Sequence, residues 1–437
     1  MKKIIFLELN EFNDALLRKA SAAMNLKNIQ RMLLLNHSTI STDDTYESDF
    51  LEPWVQWVSV HTGKPSSEHQ IKHLGDIPHL GTKQIWEDLA DKGISSGIWG
   101  AMNASRNGAD GCKFFLPDPW TASEIAYPGE LNDLLDPLRY ISKNYLKKSN
   151  KELFQKLRSL LRVITVNKLW KHVLRELPGI LKNTLKFKGK SFIYIGFIEY
   201  ISTLLFLKYR ENYKTEFSSI FINTLAHVQH HYWKDDNYSG PIAYGLTYVD
   251  KILGELFSSL NPNDIILIAN GLSQKNTNDE TPWILYRQLD QATFLNAVGI
   301  RHSKVESLMT HDAHIYFENE FECQFAKKVL GNATIQNQKL FLVESYLEDP
   351  LKLFYRICFT DEIDPSTSFT INNKSLPFLS LFKPIVKRTG KHIPISSLYT
   401  NAPNFPTTLK NHEIFQHLFP SSTINLGLHP FQLASLT

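Results

Sequence analysis

FSSIFINTLAHVQHHYW, residues 217–233, is the stretch that best indicates the fold of this chain. The apolar run at residues 220–222 predicts a buried strand that enters the middle of a sheet. Three histidines follow within five positions, His227, His230 and His231. Residues three and four apart lie on one side of a helix, so these imidazole rings can converge. Such a cluster beyond a strand end is typical of a metal or phosphate site, and a histidine-rich helix start that only packs is the alternative.

The composition is that of an ordinary globular protein. The 437 residues carry a net charge of +3, with 43% hydrophobic and 21% charged residues. We therefore expect no nucleic-acid partner. The three cysteines lie far apart and form no CxxC pair, which argues against disulfides or a zinc-thiolate site. This usage fits a reducing compartment, and the chain start predicts a strand rather than a signal peptide, so we expect a cytoplasmic protein.

The first apolar run ends in a group of polar side chains. Residues 3–9 are predicted to form a buried strand, and Asn10 and Glu11 follow it directly. In open α/β sheets, ligands bind beyond the carboxyl ends of the strands. Glu8, Asn10 and Glu11 therefore occupy a ligand-binding position.

A helix with clear end signals is predicted in the next segment. Glu52 and Pro53 precede an aromatic and apolar run, and proline is favoured in the first turn of a helix. Gly63 suits a left-handed residue that ends the helix, and Pro65 follows as a stop.

The pattern W-x-S-x-x-T-G-K-x-x-x-x-H-x-I, residues 57–71, resembles the segment after the nucleophile in the alkaline phosphatase superfamily. Its type I phosphodiesterase/nucleotide pyrophosphatase branch is the most similar. Residues 82–100, 226–233, 264–274 and 389–392 resemble later segments of that branch in the same order. Segments such as LELNE and EPWVQWVSVHTG also resemble a set of uncharacterised bacterial proteins. The resemblance implies a three-layer α/β/α fold with a mostly parallel central sheet and a site at the strand ends.

The same resemblance implies two metal ions, usually zinc, around a Thr or Ser nucleophile. His230 and His392 match ligand positions, whereas Asn10 stands at the position of the first aspartate ligand. The nucleophile position falls at Glu52, where there is no hydroxyl, and Ala226 replaces another aspartate. Either the site has been rebuilt or the metals have been lost. For a rebuilt site we expect a divalent metal, zinc or manganese. The predicted metal ligands are Glu8, Asn10, Glu11, His230 and His392.

Other residues are candidates for catalysis and substrate binding. Glu52 is a candidate general base, and His227 and His231 are further candidate catalytic residues. Thr62 and Lys64 of the resembling segment are candidate substrate contacts. Asp118 lies in a rigid Asp-Pro-Trp turn that could wall a pocket, with a purely structural turn as the alternative. Arg287 could bind a phosphate through two hydrogen bonds, although a surface ion pair is the commoner role of an arginine.

Residues 106–207 interrupt the resemblance and predict an inserted helical cap, with 1–105 and 208–437 forming the α/β domain. The segment from Arg139 to Lys190 contains fifteen Lys and Arg residues and two acidic residues. Such a basic surface suits an anionic polymer, a phosphate-bearing substrate or a membrane, and a merely solvated face is the alternative. Residues 191–207 are the most apolar in the chain. Because this stretch has fewer than about twenty residues and contains Glu199, we expect a buried cap helix rather than a membrane span.

Three functions remain open at this point. The first is a metal-assisted hydrolase or transferase for a phosphate (or sulfate) ester or diester. The second is a metal-independent transferase in bacterial surface glycan synthesis, with His227 or His231 as acid or base. The third is a pseudoenzyme that only binds. The expected partner is an anionic or phosphate-bearing small molecule or glycan, and the cap suits peripheral membrane contact.

Overall fold

The computed structural model describes residues 2–46, 50–143, 150–233, 238, 240–309 and 311–419. The chain divides into two compact units. The first takes residues up to Tyr140, Ser149–Asn276 and the residues from Gly390 onward. The second is built on Thr277–Thr389, with a short segment that begins at Ile141.

The strands of the described residues are mostly short. In chain order they are β1 (Ile4–Leu9), β2 (Asn36–Ser41), β3 (Ser96–Ala101), β4 (Cys112–Pro117), β5 (Phe217–Ile222), β6 (Ile265–Ala269), β7 (Ser273–Asn276), β8 (Ile284–Gln288), β9 (Lys304–Ser307), β10 (Asp312–Tyr316), β11 (Thr334–Ile335), β12 (Gln338–Lys339), β13 (Phe341–Ser345), β14 (Lys352–Ile357), β15 (Ser368–Ile371), β16 (Lys374–Pro377), β17 (Phe382–Lys387), β18 (Gly390–Ile393), β19 (Ile395–Thr400) and β20 (Thr408–Lys410).

The helices include several that are longer than the strands. They are α1 (Asp14–Ala23), α2 (Lys27–Leu33), α3 (Pro53–Thr62), α4 (Ser66–His69), α5 (Ile85–Asp91), α6 (Asn132–Lys143), α7 (Asn150–Val166), α8 (Trp170–Lys186), α9 (Phe192–Tyr213), α10 (Thr224–Tyr232), α11 (Pro241–Ser258), α12 (Gln291–Ala297), α13 (Glu320–Gly331) and α14 (Ile414–Leu418).

The first unit contains an eight-stranded sheet in the order β20-β2-β19-β6-β1-β5-β3-β4. β1 pairs in parallel with β5 and β6, and β3 pairs in parallel with β4 and β5. β19 is antiparallel to both of its neighbours. All six residues of β1 and of β5 are buried, as expected of central strands that are covered on both faces. The prediction of a mostly parallel α/β sheet is confirmed.

Helices cover both faces of this sheet and make it the middle of three layers. On one face, a large core joins Leu7 and Ile220 of the sheet to α1, α2, α9, α10 and α11. On the other face, Phe6 packs edge-on against Trp57 of α3 and Phe415 of α14. α3 has the predicted ends, with Pro53 in its first turn and Gly63 in the left-handed conformation at φ 66°.

The second unit consists mainly of small antiparallel sheets. β13-β14-β10-β9 and β12-β11-β15-β16 form two of them, and β17 pairs with β8. Their apolar faces share one core with α12 and α13, which includes Phe294 and Phe341. Short connections can join antiparallel strands, whereas parallel strands need long crossover segments.

The two units do not follow the domain bounds that the sequence predicted. β4 lies within 106–207 yet forms an edge of the central sheet. Residues 277–389, which were expected in the α/β domain, form the separate second unit. The helices α7, α8 and α9 belong to the first unit, and their role as a cap stays a prediction.

The apolar segment that begins near residue 191 forms a longer helix than expected. α9 has 22 residues and is, among the described residues, a helix long and apolar enough to cross a membrane by length and composition. Half of its most apolar window is buried inside the protein, against α11 and the sheet. Such burial is also found in core helices of soluble proteins.

Candidate metal centre

The end of β1 brings Glu11 to the carboxyl edge of the central sheet. Glu11 has φ 57°, a left-handed conformation that costs energy for a residue with a side chain. Two hydrogen bonds hold it: its N–H donates to Asn270 O at 3.0 Å, and its carbonyl accepts from Gln229 Nε2 at 2.8 Å. The strained turn therefore has contacts that fix the direction of the Glu11 side chain.

α10 follows β5 and carries His230 in its last turn. The start of this helix is held by Glu199 of α9, whose carboxylate accepts from the N–H groups of Asn223 and Thr224 at 2.8 and 3.0 Å. The Thr224 hydroxyl also donates to Glu199. Because the first N–H groups of a helix lack partners within it, this carboxylate satisfies and anchors them.

β18 contributes His392, which lies opposite Gln274 in the antiparallel pairing with β7. This register places His392 beside the last turn of α10, where the ring centroids of His230 and His392 are 5.0 Å apart. Segments far apart in the chain thus meet at one point.

Three ligand-type atoms converge there. Glu11 Oε2 lies 2.9 Å from His230 Nε2 and 3.0 Å from His392 Nε2. The two Nε2 atoms are 3.2 Å from each other. The Glu11 side chain is nearly inaccessible to solvent, and both histidines are largely buried.

The hydrogen bonds made by the two Nδ1 atoms determine whether the two Nε2 atoms carry a lone pair. His230 Nδ1 lies 3.0 Å from the carbonyl of Gly390, which can only accept, so Nδ1 donates. His392 Nδ1 lies 3.3 Å from Glu52 Oε2 and donates to that carboxylate. In a neutral imidazole the other nitrogen then carries a lone pair. Both Nε2 lone pairs and an anionic oxygen therefore face one another, and a cation or extra protons must relieve their repulsion.

The residues fit a divalent metal ion. Ligands at about 2.0–2.1 Å from a tetrahedral zinc ion lie roughly 3.3 Å from one another, close to the separations of these atoms. Metal-binding histidines usually donate their other N–H to a carbonyl or carboxylate, as both do here. Gln274 Nε2 also donates to Glu11 Oε2 at 2.5 Å and holds the carboxylate in place. Glu11, His230 and His392 form the group of possible metal ligands found among the described residues.

Protons alone would also balance the charges of this cluster. Burial opposes a charge on His392, but the carboxylates of Glu11 and Glu52 outweigh it and raise the pKa of His392 to about 10. Burial also disfavours the charged form of Glu11, yet His392 and His230 hold its pKa well below the usual range. A metal-free cluster would therefore hold a protonated His392 between two carboxylates.

Two of the predicted metal ligands lie outside this group. Asn10 donates to Glu11 Oε1 at 2.8 Å and accepts from Trp57 Nε1 at 2.7 Å, so it supports Glu11 rather than facing the imidazoles. Glu8 points to the opposite face of the sheet, where its Oε1 lies 3.1 Å from His61 Nε2. Alternation along β1 sends Glu8 to that face, and this separates it from the cluster.

His227 and His231 share another side of α10. Their rings lie 4.4 Å apart, and His227 Nε2 is 3.3 Å from the Ser191 hydroxyl. Burial, and then the charge of His230, lower the pKa of His227 to about 4, so its ring is neutral. The structure thus separates the two from His230, which alone of the three meets Glu11.

The predicted substrate contacts on α3 and after it have local partners. The Thr62 hydroxyl donates to the Val58 carbonyl at 2.8 Å, one helical turn earlier. Lys64 forms an exposed ion pair with Glu68 at 3.0 Å. Neither contact points to a ligand.

The two other predicted substrate contacts are buried in their own units. Asp118 accepts from the N–H groups of Asn103 and Thr121 at 2.7 and 2.8 Å, as expected of the structural-turn alternative. Arg287 belongs to the second unit, where it is buried and its Nη1 lies 3.4 Å from the carbonyl of Met309.

Two residues that support the ligands, Gln274 and Gly390, were not predicted as site residues from the sequence. Gln274 donates to Glu11 and to Ala226 O, and Gly390 supplies the carbonyl for His230. Residues 264–274 and 389–392 were placed near the site by resemblance. No sequence motif marks Gln274 or Gly390 as a site residue. Their contacts with Glu11 and His230 depend on the pairing of β7 with β18.

Fold and site together define a three-layer α/β/α protein with a candidate His₂Glu metal centre at the strand ends. No protein-family model matches the chain, and no curated protein matches it by sequence. Among solved structures, it is similar to phosphonoacetate hydrolase from Sinorhizobium meliloti 1021 in complex with phosphonoformate, with 12% identity and a TM-score of 0.44, over 95% of this chain and 94% of that one.

Two further solved structures show a comparable degree of similarity. Murine ectonucleotide pyrophosphatase/phosphodiesterase 5 has 10% identity and a TM-score of 0.44, over 98% of this chain and 96% of that one. A mutant of the alkaline phosphatase PafA has 10% identity and a TM-score of 0.45, with the same coverage. The function proposed below rests on the geometry of the site.

Proposed function

We propose that this chain is a metal-dependent hydrolase or transferase that acts on a phosphate (or sulfate) ester or diester. The observation that carries the proposal is the convergence of Glu11 Oε2, His230 Nε2 and His392 Nε2 within 2.9–3.2 Å of one another. One carboxylate and two imidazoles are a ligand set that zinc uses when it keeps a position open for catalysis.

Glu11, His230 and His392 would hold one divalent ion, zinc or manganese. Such an ion, when bound, polarises an ester oxygen and stabilises the charge that develops on the transferred group. The chain fixes the ligands by separate contacts: Gln274 holds Glu11, Gly390 holds His230, and Glu52 holds His392. These contacts set the ring orientations before any ligand arrives.

Glu52 is the proposed general base. It lies at the N-terminus of α3, where the helix dipole favours a negative charge, and its side chain is partly exposed. Its carboxylate would take the proton of the attacking group while the ester oxygen leaves with the electron pair of the broken bond. Water as the attacking group gives hydrolysis, and a hydroxyl of a second substrate gives transfer.

The proposed partner is an anionic, phosphate-bearing small molecule or glycan. A divalent ion held by Glu11, His230 and His392 would suit such a substrate, because a cation attracts the anionic oxygens of a phosphate group. The residues predicted from the sequence as substrate contacts, Thr62, Lys64, Asp118 and Arg287, have the local roles described above. Glu52, which was predicted as the general base, lies beside the proposed metal ligand His392.

A metal-independent acid–base enzyme is the second candidate. It is favoured by the position of His392, which lies within 3.3 Å of both Glu11 and Glu52. A protonated His392 between these carboxylates satisfies the same distances without a metal, and it could donate a proton to a leaving group. A transferase of surface glycan synthesis would fit this chemistry.

Metal content distinguishes the two candidates. The protein is purified without a metal-affinity step and analysed for zinc and manganese by mass spectrometry. We expect about one equivalent per chain, lost in His230→Ala and in His392→Ala. His231→Gln is the matched control, because it removes a neighbouring imidazole of α10 that lies outside the ligand group, and it should keep the metal.

Turnover is then measured with p-nitrophenyl phosphate, bis-p-nitrophenyl phosphate and p-nitrophenyl sulfate as probes. We expect activity on at least one ester that is lost after chelation and restored by Zn²⁺ or Mn²⁺. A metal-free protein whose turnover resists chelation would overturn the metal-dependent proposal in favour of the acid–base candidate. A metal-loaded protein inactive on every ester would instead favour a binding role.

A further inference from the structure

α8 presents a continuous apolar stripe to solvent. Trp170, Leu174, Leu177, Leu181 and Leu185 have exposures of 40%, 60%, 41%, 56% and 83%. At 100° per residue these five side chains fall within an arc of about 80°, so they form one line along the helix. From Trp170 to Leu185 this line is about 22 Å long. Single exposed leucines are common on protein surfaces, but an aligned row of this length is not.

Basic side chains run beside the apolar stripe. Lys171, Lys182 and Lys186 are exposed and occupy the adjacent arc of about 60° on the solvent side. The chain continues from α8 into Lys188 and Lys190, which are exposed as well. The segment that contains α8 therefore concentrates positive charge in a protein whose total is only +3.

The acidic residue of α8 points away from this surface. Glu176 is buried and forms an ion pair with Lys251 of α11 at 2.5 Å. The same inner side of the helix buries Leu169 and Ile180 in the core of the first unit. α8 is therefore held in place by its inner side, and its apolar stripe is not needed for that packing.

We propose that this stripe and its lysines dock the protein on an anionic lipid bilayer. A helix with an apolar line beside a row of lysines lies in the membrane interface with its leucines among the acyl chains. The lysines then reach the phosphate groups, and each adds attraction to an anionic leaflet. An acidic protein is the less suitable partner, because an apolar helix row of this length would need a matching groove as well as the charges. The inference is independent of the proposed enzymatic function.

Vesicle co-sedimentation tests this surface with the full chain. Sucrose-loaded vesicles of phosphatidylcholine with 30% phosphatidylserine are compared with vesicles of phosphatidylcholine alone. We expect binding to the anionic vesicles that is at least tenfold stronger and that weakens at 0.5 M NaCl, because salt screens the lysines. Leu174→Asp with Leu181→Asp should lower the partition coefficient at least tenfold, and Lys182→Glu with Lys186→Glu at least fivefold.

Leu34→Asp is the matched control, since Leu34 is 87% exposed but lies outside α8. It should bind the vesicles like the wild type. All variants change exposed side chains, and urea unfolding midpoints are measured to confirm that each variant is folded. If the Leu174→Asp, Leu181→Asp double variant unfolds, the Leu174→Ser, Leu181→Ser double variant takes its place. Wild-type protein that ignores anionic vesicles, or folded stripe variants that bind as the wild type does, would overturn the proposal. So would a dimer in solution that the stripe variants dissociate.

Discussion

Gly390→Ala would disturb the proposed metal centre without removing any of its ligands. A Cβ atom at Gly390 would lie 2.1 Å from Gln274 Oε1 and 2.9 Å from the backbone oxygen of Gln229. Neither distance is tolerable, so the Gln274 side chain, the end of α10 or β18 itself must move. Each of these movements changes the surroundings of Glu11 or His230.

The cost follows from the contacts that would be lost. Gln274 Nε2 donates to the buried carboxylate of Glu11 at 2.5 Å, and a hydrogen bond to a charged group contributes about 1.5–3 kcal/mol. Overpacking of a filled interior adds about 1–3 kcal/mol. We therefore expect the free energy of unfolding to fall by about 2.5–6 kcal/mol. A shift of the Gly390 carbonyl would also release His230 Nδ1, and loss of such a support lowers metal affinity about 10–100-fold.

Two measurements report these effects separately. Urea unfolding of the metal-free protein gives the stability change, and competition with a chromophoric chelator gives the affinity for Zn²⁺. Gly81→Ala is the matched control, because a Cβ there meets no atom within 4 Å, and it should change neither quantity appreciably.

The reasoning would be refuted by a Gly390→Ala protein that unfolds at the wild-type urea concentration and binds Zn²⁺ with wild-type affinity. A loss of stability with unchanged affinity would show that Gly390 matters for packing but that its carbonyl does not orient His230.

Three further predictions concern other carboxylates. Burial raises the pKa of Glu199 to about 7, above its unfolded value of 4.5, so stability should fall by about 3 kcal/mol as pH rises from about 4.5 to about 7. Glu199→Gln should flatten this slope, as urea unfolding at pH 5 and pH 8 will show. Glu52→Gln should lower kcat about 10²–10⁴-fold at saturating metal, and unchanged kcat would exclude Glu52 as the base. Asp118→Asn should cost about 2–4 kcal/mol in urea unfolding and leave the metal content unchanged, because an amide cannot accept all the hydrogen bonds of that turn.

Local patterns in the sequence predict the frame of the site well. The apolar runs that become β1 and β5 are continuous because both faces of these strands are buried, and the polar residues after them must then lie at the carboxyl edge. Pro53 and Gly63 mark the ends of α3 through backbone preferences that act within a few residues. These signals are local, so a sequence is enough to read them.

Which residues belong to the site depends on the folded backbone and on contacts between segments that are far apart in the chain. Glu8 and Glu11 are equally plausible ligands in the sequence, and what separates them is the left-handed backbone of Glu11 after β1 ends. His230 reaches Glu11, and His227 and His231 do not, because the side of α10 that carries His230 lies against His392 of β18. The two histidines are 162 residues apart in the chain, so no local pattern shows that they meet.

The second unit is not apparent from the sequence for a related reason. Its strands, such as β11 and β15, have two and four residues, too few for an alternating pattern to be recognised. Their common core around Phe294 forms only when antiparallel neighbours pair. A segment of this kind is easily read as a continuation of the α/β domain that surrounds it in the chain.

Two glutamines connect the candidate metal centre to the surrounding elements through hydrogen bonds. Gln229 of α10 donates to the Glu11 carbonyl and accepts from the N–H of Asn13 at 3.1 Å. The side chain of Gln274 in β7 donates to the Glu11 carboxylate, and the backbone carbonyl of Gln274 accepts from Asn13 Nδ2 at 2.9 Å. The end of β1 is thus tied to α10 and to β7 on both sides of Glu11 by contacts that need no metal. Because folding already restricts these groups, an ion would meet oriented ligands, and most of its binding energy would remain available as affinity. Substitutions in this amide frame should therefore weaken metal binding even where all three ligands are intact.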